Sequence, residues 1–317
     1  MTMTLLHVYY KRPYITVYFK YMIKTNDSGE CIMKVLLHVN YYEGAGKFEN
    51  LFKLIKVSGA DGVELRGKNY YNMGKENYLA MVEDLKQRNP ETEIAFGYQL
   101  CFDTDEETRK KDFEDFVNFI DWAKAKCGTK VMNMFTDSLV SENAAYFDFE
   151  KNGSALADEA MYARHGEGLT RAGIELEKRG MIAGLETHNC YIHDLAKSCA
   201  KLLSYVKSPA IGINYDHGNI CLNQNGESID EVFELLKGKF HYAHLKNLLR
   251  FPRDLRYYYA THLEDGHIDT GKVLGLLKDE VKSGIIAVEY ACPGDGLIAA
   301  KRDIEYVNFL REWLDIK

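Results

Sequence analysis

From Met33 to the C-terminus, short apolar runs alternate regularly with longer amphipathic stretches. A short apolar run bounded by turn residues reads as a buried strand, and apolar residues recurring every three or four positions read as one face of a helix. On that basis strands are predicted at 34–39, 61–65, 93–98, 130–135, 182–185, 211–213, 239–243 and 285–288. Helices are predicted at 47–58, 75–88, 106–126, 155–178, 193–205, behind Ser228, and at 270–283 and 299–313. Their ends carry the expected chemistry. Asn89-Pro90 stops the second helix, Gly180 follows the fourth, and Asp230 and Glu231 occupy the first turn of the sixth. Two longer loops remain: 136–153, and an insertion at 248–269 rich in Arg and Tyr.

Strictly alternating strand and helix patterns imply a parallel sheet. Eight units with nothing left over after Met33 fit an α/β fold of the closed (β/α)8 TIM barrel type. No GxGxxG follows the first strand, so a dinucleotide fold gains no support. Residues 1–32 break the rhythm. Tyr9-Tyr10-Lys11-Arg12-Pro13 interrupts any signal-peptide core, and Thr25–Glu30 is a solvated stretch. The expectation is a non-core N-terminal extension at 1–32, with Met33 as the native start and 1–32 a translated leader, and a single catalytic barrel at 33–317. A genuine N-terminal hairpin on the barrel floor is the alternative.

Four consecutive predicted strands end abruptly in charge. The fifth delivers Glu186, the sixth Asp216, the seventh His244 and the eighth Glu289. A single strand-end glutamate is commonly a solvated loop residue. Four such groups in register at the C-terminal rim of a barrel, where active sites lie, point instead to one shared metal site. Three carboxylates and one imidazole suit Mn2+ first, with Mg2+ or Co2+ also accommodated. Four protein ligands leave room for the two oxygens of an α-hydroxy ketone, whose enediolate a metal stabilises as the neighbouring proton departs. A carboxylate near that carbon is the natural base. With Glu186 and Glu289 on different sides of the ion, one takes a proton and the other returns it, giving epimerisation or aldose–ketose isomerisation.

Composition narrows the field further. The formal charge of -7 disfavours a nucleic-acid partner, whose phosphates demand a basic face. No apolar run reaches membrane-spanning length. The seven cysteines are scattered without a CxxC pair, which reads as reduced thiols in a cytoplasmic protein.

Leu185-Glu186-Thr187-His188, Asn214-Tyr215-Asp216-His217-Gly218-Asn219, Ala243-His244-Leu245-Lys246-Asn247 and Val288-Glu289-Tyr290 resemble the strand ends of the xylose-isomerase-like barrel superfamily. Gly266-His267-Ile268-Asp269 and Ala60-Asp61-Gly62-Val63-Glu64 are similar to two further segments of it. The best-fitting branch is the sugar (phosphate) isomerase/epimerase group, which includes ketose 3-epimerases, hydroxypyruvate isomerase and inosose dehydratase. The resemblance implies metal ligation by Glu186, Asp216, His244 and Glu289, with the two glutamates as acid and base. It implies substrate contacts from His188, His217, Asn219, Lys246, Arg250 and Glu64, with Arg253 and Asn40 as further rim candidates. The implied partner is a small sugar, in a possible homo-dimer or tetramer. One departure stands out: epimerases usually carry a His three residues after the sixth-strand Asp, where this chain has Asn219. The loop at 291–296 is not basic, which favours an unphosphorylated substrate.

Three rivals remain. A lyase of the inosose-dehydratase or C-glycoside-cleaving kind would use the same proton abstraction, with Tyr257-Tyr258-Tyr259 as an aromatic platform. A phosphodiesterase like the apurinic endonucleases needs additional His ligands that Gly97-Tyr98-Gln99-Leu100 and Asn219 do not provide. A non-catalytic sugar-binding barrel would have no need of the acid pair.

Overall fold

The computed structural model describes residues 33–43, 50–68, 70, 73–251, 254–289 and 295–317. The leader hypothesis for 1–32, the start of the first predicted helix, Arg253 and most of the loop after the eighth barrel strand lie outside these residues.

Eight parallel strands close into a barrel: β1 (Lys34–His38), β2 (Gly62–Arg66), β3 (Glu93–Gln99), β4 (Val131–Phe135), β5 (Ile182–Glu186), β6 (Ile211–Asp216), β7 (Phe240–Leu245) and β10 (Ile285–Val288). Outside it pack α2 (Leu51–Ser58), α3 (Lys75–Arg88), α4 (Glu106–Trp122), α5 (Glu159–Lys178), α6 (Ala196–Tyr205), α8 (Ile229–Leu235), α9 (Thr270–Leu277) and α10 (Gly296–Trp313). Short helical turns α1 (Asn40–Glu43) and α7 (His217–Ile220) sit directly after β1 and β6. Local chemistry sets several starts. Asp158 caps α5 by accepting from the Met161 amide, and Ser228 with Glu231 forms a reciprocal capping box on α8.

Three buried apolar clusters hold the fold, two of them in and around the barrel. The larger fills the space between strands and helices. A smaller one, built from Leu36, Ala95, Val131, Tyr242, Ile285 and Ala287, brings together residues of five barrel strands. Gly62 is required where β2 passes β3, because a Cβ there would lie 1.9 Å from the Glu93 carbonyl oxygen.

The eight-unit reading holds, with four local differences. The third predicted helix runs as α-helix only to Trp122 and ends in a wider turn over Ala123–Cys127. The helix behind the seventh strand stops at Leu277 rather than at 283. Four residues after Asp216 form α7, which an apolar-run argument has no means to see. Most of the 248–261 stretch lies in two strands that pair antiparallel, β8 (Asn247–Phe251) with β9 (Asp254–Thr261). Asn247 ties its base down, donating to the Leu263 and Ile268 carbonyls and accepting from the Leu248 and Ile268 amides. Cys101, Cys127, Cys190, Cys199 and Cys221 are free thiols. Among the described residues no helix is long and apolar enough to cross a membrane.

Candidate active site

The site lies at the C-terminal ends of four neighbouring strands, in the order β5, β6, β7, β10. Strand register aligns them. Asp216 pairs with His244, and His244 with Ala287. A register shift between Ile213 and Asn214 is what brings Asp216 level with His244. Continued unshifted from Ile213↔Phe240, the ladder would set Asp216 against Ala243, whose side chain points to the other face of the sheet.

One ligating atom from each of Glu186, Asp216, His244 and Glu289 lies within 4.8 Å of all the others. Three carboxylates so close and so buried cannot all stay charged without compensating positive charge. Burial, aided by the neighbouring Glu289 charge, raises Glu186 to about 7. Burial likewise raises Asp216 to about 7, against the pull of Lys246. Glu289 goes the other way. Burial opposes its charge, but the positive charges of Lys246 and nearby His244 outweigh it and hold the carboxyl well below its ordinary range.

The donor set fits a divalent ion on a second observation. His244 is tied through Nε2 to Glu64 Oε2 at 2.6 Å, while its buried Nδ1 has no hydrogen-bond partner. That Nδ1 faces Glu186 Oε2 at 3.4 Å and Glu289 Oε2 at 3.3 Å. A metal-ligating imidazole normally gives its other N–H to a carboxylate or carbonyl, and His244 does so. A second cluster, Asp103, Asp137 and His165, lacks this support. There the nitrogen facing the acids is Nε2, already bonded to Asp103 and 3.5 Å from Asp137, and no carboxylate or carbonyl holds the other nitrogen.

The remaining sequence candidates separate by position. Glu64 is not at the rim but fully buried behind the cluster. Both its oxygens are engaged, by Asn133 Nδ2, Tyr242 Oη and His244 Nε2. Burial alone would raise Glu64; the nearby His244 and His38 and these hydrogen bonds outweigh it and bring it to about 2. Asn219 is buried and bridges two acids of the cluster, donating through Nδ2 to Glu186 Oε1 at 3.1 Å and to Asp216 Oδ2 at 3.0 Å. Lys246 Nζ stands between Asp216 Oδ2 at 2.8 Å and Glu289 Oε2 at 2.9 Å. Half-buried His188 stacks edge-on against Phe135 and Tyr191. His217 turns toward Tyr215, 5.9 Å between ring centroids, and burial with the Arg250 charge lowers it to about 4. Arg250 sits on β8 of the hairpin.

Two residues not singled out from the sequence, Asn133 and Arg66, complete the set together with the rim candidate Asn40. Asn133 on β4 donates through Nδ2 to both Glu64 Oε1 and Glu186 Oε2. Asn40 Nδ2 donates to Glu289 Oε1, and Arg66 donates to Asn40 Oδ1. The lone Asn within Val131-Met132-Asn133-Met134-Phe135 was the available signal, since a polar side chain inside a barrel strand needs a polar neighbour.

A closed parallel barrel with a metal-competent acid and imidazole cluster at its C-terminal rim defines a class of TIM-barrel enzymes. The chain belongs to the xylose isomerase-like TIM barrel family, whose model matches residues 52–313. A search of curated proteins found no match. Solved structures agree in fold. A xylose isomerase-like barrel from Mycobacterium smegmatis in complex with magnesium aligns with a TM-score of 0.68 at 16% identity, covering 89% of this chain and 97% of that one. A D-allulose 3-epimerase from Methylomonas sp. aligns at 0.66 and 14%, covering 88% and 98%. A probable 3-DHS dehydratase from Bacillus anthracis aligns at 0.64 and 17%, covering 87% and 99%. The fold is therefore shared by an epimerase and a probable dehydratase, and identity this low carries the fold alone.

Proposed function

We propose that the protein is a divalent-metal-dependent isomerase or epimerase of a ketose or related polyol, with residues 33–317 as its catalytic domain. One observation carries the reading. Glu186 and Glu289, at the two ends of a four-strand arc, converge with Asp216 and His244 so that their ligating atoms lie within 4.8 Å of one another. In this reading those four side chains hold the ion, and Mn2+ fits their oxygen-rich set first. When bound, the metal polarises the substrate carbonyl and stabilises the negative charge that develops on deprotonation of the adjacent carbon.

The chain's own residues do the rest. One glutamate takes the C–H proton and the other supplies a proton to the opposite face. Delivery to the same carbon inverts it; delivery to the neighbouring carbon exchanges ketose for aldose. Glu64 fixes the tautomer of His244. Asn219, Asn133 and Asn40 hold the glutamates by donating to their carboxylates. His188, on the aromatic wall of Phe135 and Tyr191, is assigned to a substrate hydroxyl.

The test is proton NMR in D2O with Mn2+- or Mg2+-loaded protein and a panel of ketoses, inososes and glycosides. Deuterium uptake at one carbon, with an epimer or isomer formed, is expected. A dehydrated or cleaved product would assign a lyase instead, and no exchange with any member would overturn the reading.

A further inference from the structure

The side chain of Lys246 occupies a place that ordinary substrate contact does not explain. It lies just beyond β7, two residues after His244, and is 12% exposed. Its Nζ is 2.8 Å from Asp216 Oδ2 and 2.9 Å from Glu289 Oε2, so it bridges two of the four groups assigned above to the metal. Its stem runs across Gly218, where a Cβ would come within 2.4 Å of Lys246 Cγ. Any larger residue at 218 would press on the stem that carries the ammonium to the two acids.

Apart from His244, whose Nδ1 lies 3.3 Å from Glu289 Oε2, the other side-chain neighbours of these acids are neutral amides: Asn219 on Asp216 and Glu186, and Asn40 on Glu289. An ammonium and a divalent cation draw on the same carboxylate oxygens, and two positive centres a few ångströms apart repel strongly where water is scarce.

We propose that Lys246 is a built-in counter-cation of the ligand cage: it holds Asp216 and Glu289 together in the metal-free protein, yields carboxylate oxygens when a divalent ion enters, and thereby weakens and tunes metal affinity. The inference rests on the metal-site reading above but not on which reaction the site performs. It explains how Asp216 and Glu289 stay side by side before metal arrives. It also gives the chain a means of keeping metal exchangeable.

The experiment is isothermal titration of the full chain with Mn2+, comparing wild type with Lys246→Met, alongside thermal unfolding of each without metal. Removing the ammonium is expected to tighten Mn2+ binding by about tenfold or more, and to lower the melting temperature of the metal-free protein. Should Lys246→Met fail to fold without metal, Lys246→Arg supplies the second arm: it keeps the charge and is expected to bind Mn2+ no more tightly than wild type. Equal or weaker binding by Lys246→Met, or tighter binding by Lys246→Arg, would overturn the proposal. Wild-type Mn2+ binding without proton exchange on any sugar would sink the isomerase reading and leave the role of Lys246 intact. Absence of binding in both wild type and Lys246→Met would sink both.

Discussion

His244 Nε2 and Glu64 Oε2 lie 2.6 Å apart, both buried, and this contact fixes which nitrogen of the imidazole faces the carboxylate cluster. With Nε2 engaged by Glu64, Nδ1 is the atom left toward Glu186 and Glu289. The strands hold the pair without help from loops: Glu64 is on β2 and His244 on β7, three strands apart around the closed barrel. Replacing Glu64 by Gln keeps the shape and removes the charge. The expected result is a roughly 10–100-fold loss of Mn2+ affinity, with the fold retained by circular dichroism. An unchanged dissociation constant would show that Glu64 does not set the state of His244.

Glu186→Gln and Glu289→Gln address the chemistry directly. Each amide keeps the volume of the acid but neither takes nor delivers the proton. Turnover and deuterium exchange, measured at saturating Mn2+, should fall by about 10²–10⁴-fold in either variant. Thermal unfolding should remain cooperative. A variant exchanging at the wild-type rate would remove that residue from the acid and base roles.

Metal removal should be visible without any substrate. An ion that binds only the folded state stabilises it by mass action, about 2.7 kcal/mol at a hundredfold excess over the dissociation constant. EDTA should therefore lower the melting temperature and abolish activity, and Mn2+ or Co2+ should restore both. A melting curve and a rate indifferent to exhaustive chelation would exclude the metal reading.

Much of this arrangement was legible in the sequence because a barrel strand advertises its end. Leu185-Glu186 and Val288-Glu289 pass from apolar to charged in one step, and the eightfold rhythm says that such steps share a rim. Position along the strand was legible, but depth was not. Glu64 and Glu186 both follow apolar residues near a strand end, yet one supports the cluster from behind and the other belongs to it. Which strands face each other, and how Asp216 comes level with His244, depend on closure and on the shift at Ile213 and Asn214. Neither leaves a hydropathy signal. Asn219 was placed on substrate by analogy with a histidine. The structure has its amide on Glu186 and Asp216, because α7 turns the chain back over the end of β6.

His241 provides a test of the scaffold that is independent of the site's chemistry. Its Nδ1 lies 3.0 Å from the Ala183 carbonyl oxygen and its Nε2 3.1 Å from Lys282 Nζ, and the ring packs where a Cβ on Gly212 would stand. The carbonyl requires a proton on Nδ1, and the ammonium requires a lone pair on Nε2, so the fold demands the neutral ring. Burial, with the Lys282 charge, lowers its pKa from 6.5 to about 3. Below pH 6.5 the unfolded chain binds a proton that the folded chain refuses. This contribution to stability is therefore complete above 6.5 and is lost as the pH falls toward 3. Between pH 7.5 and pH 5 the wild-type protein should lose roughly 2 kcal/mol more unfolding free energy than His241→Asn. The variant retains a donor for Ala183 but has nothing to titrate. Urea denaturation at the two pH values, with EDTA present so that metal release does not intrude, measures the difference. Parallel losses in the two proteins would show that His241 accepts a proton in the native state.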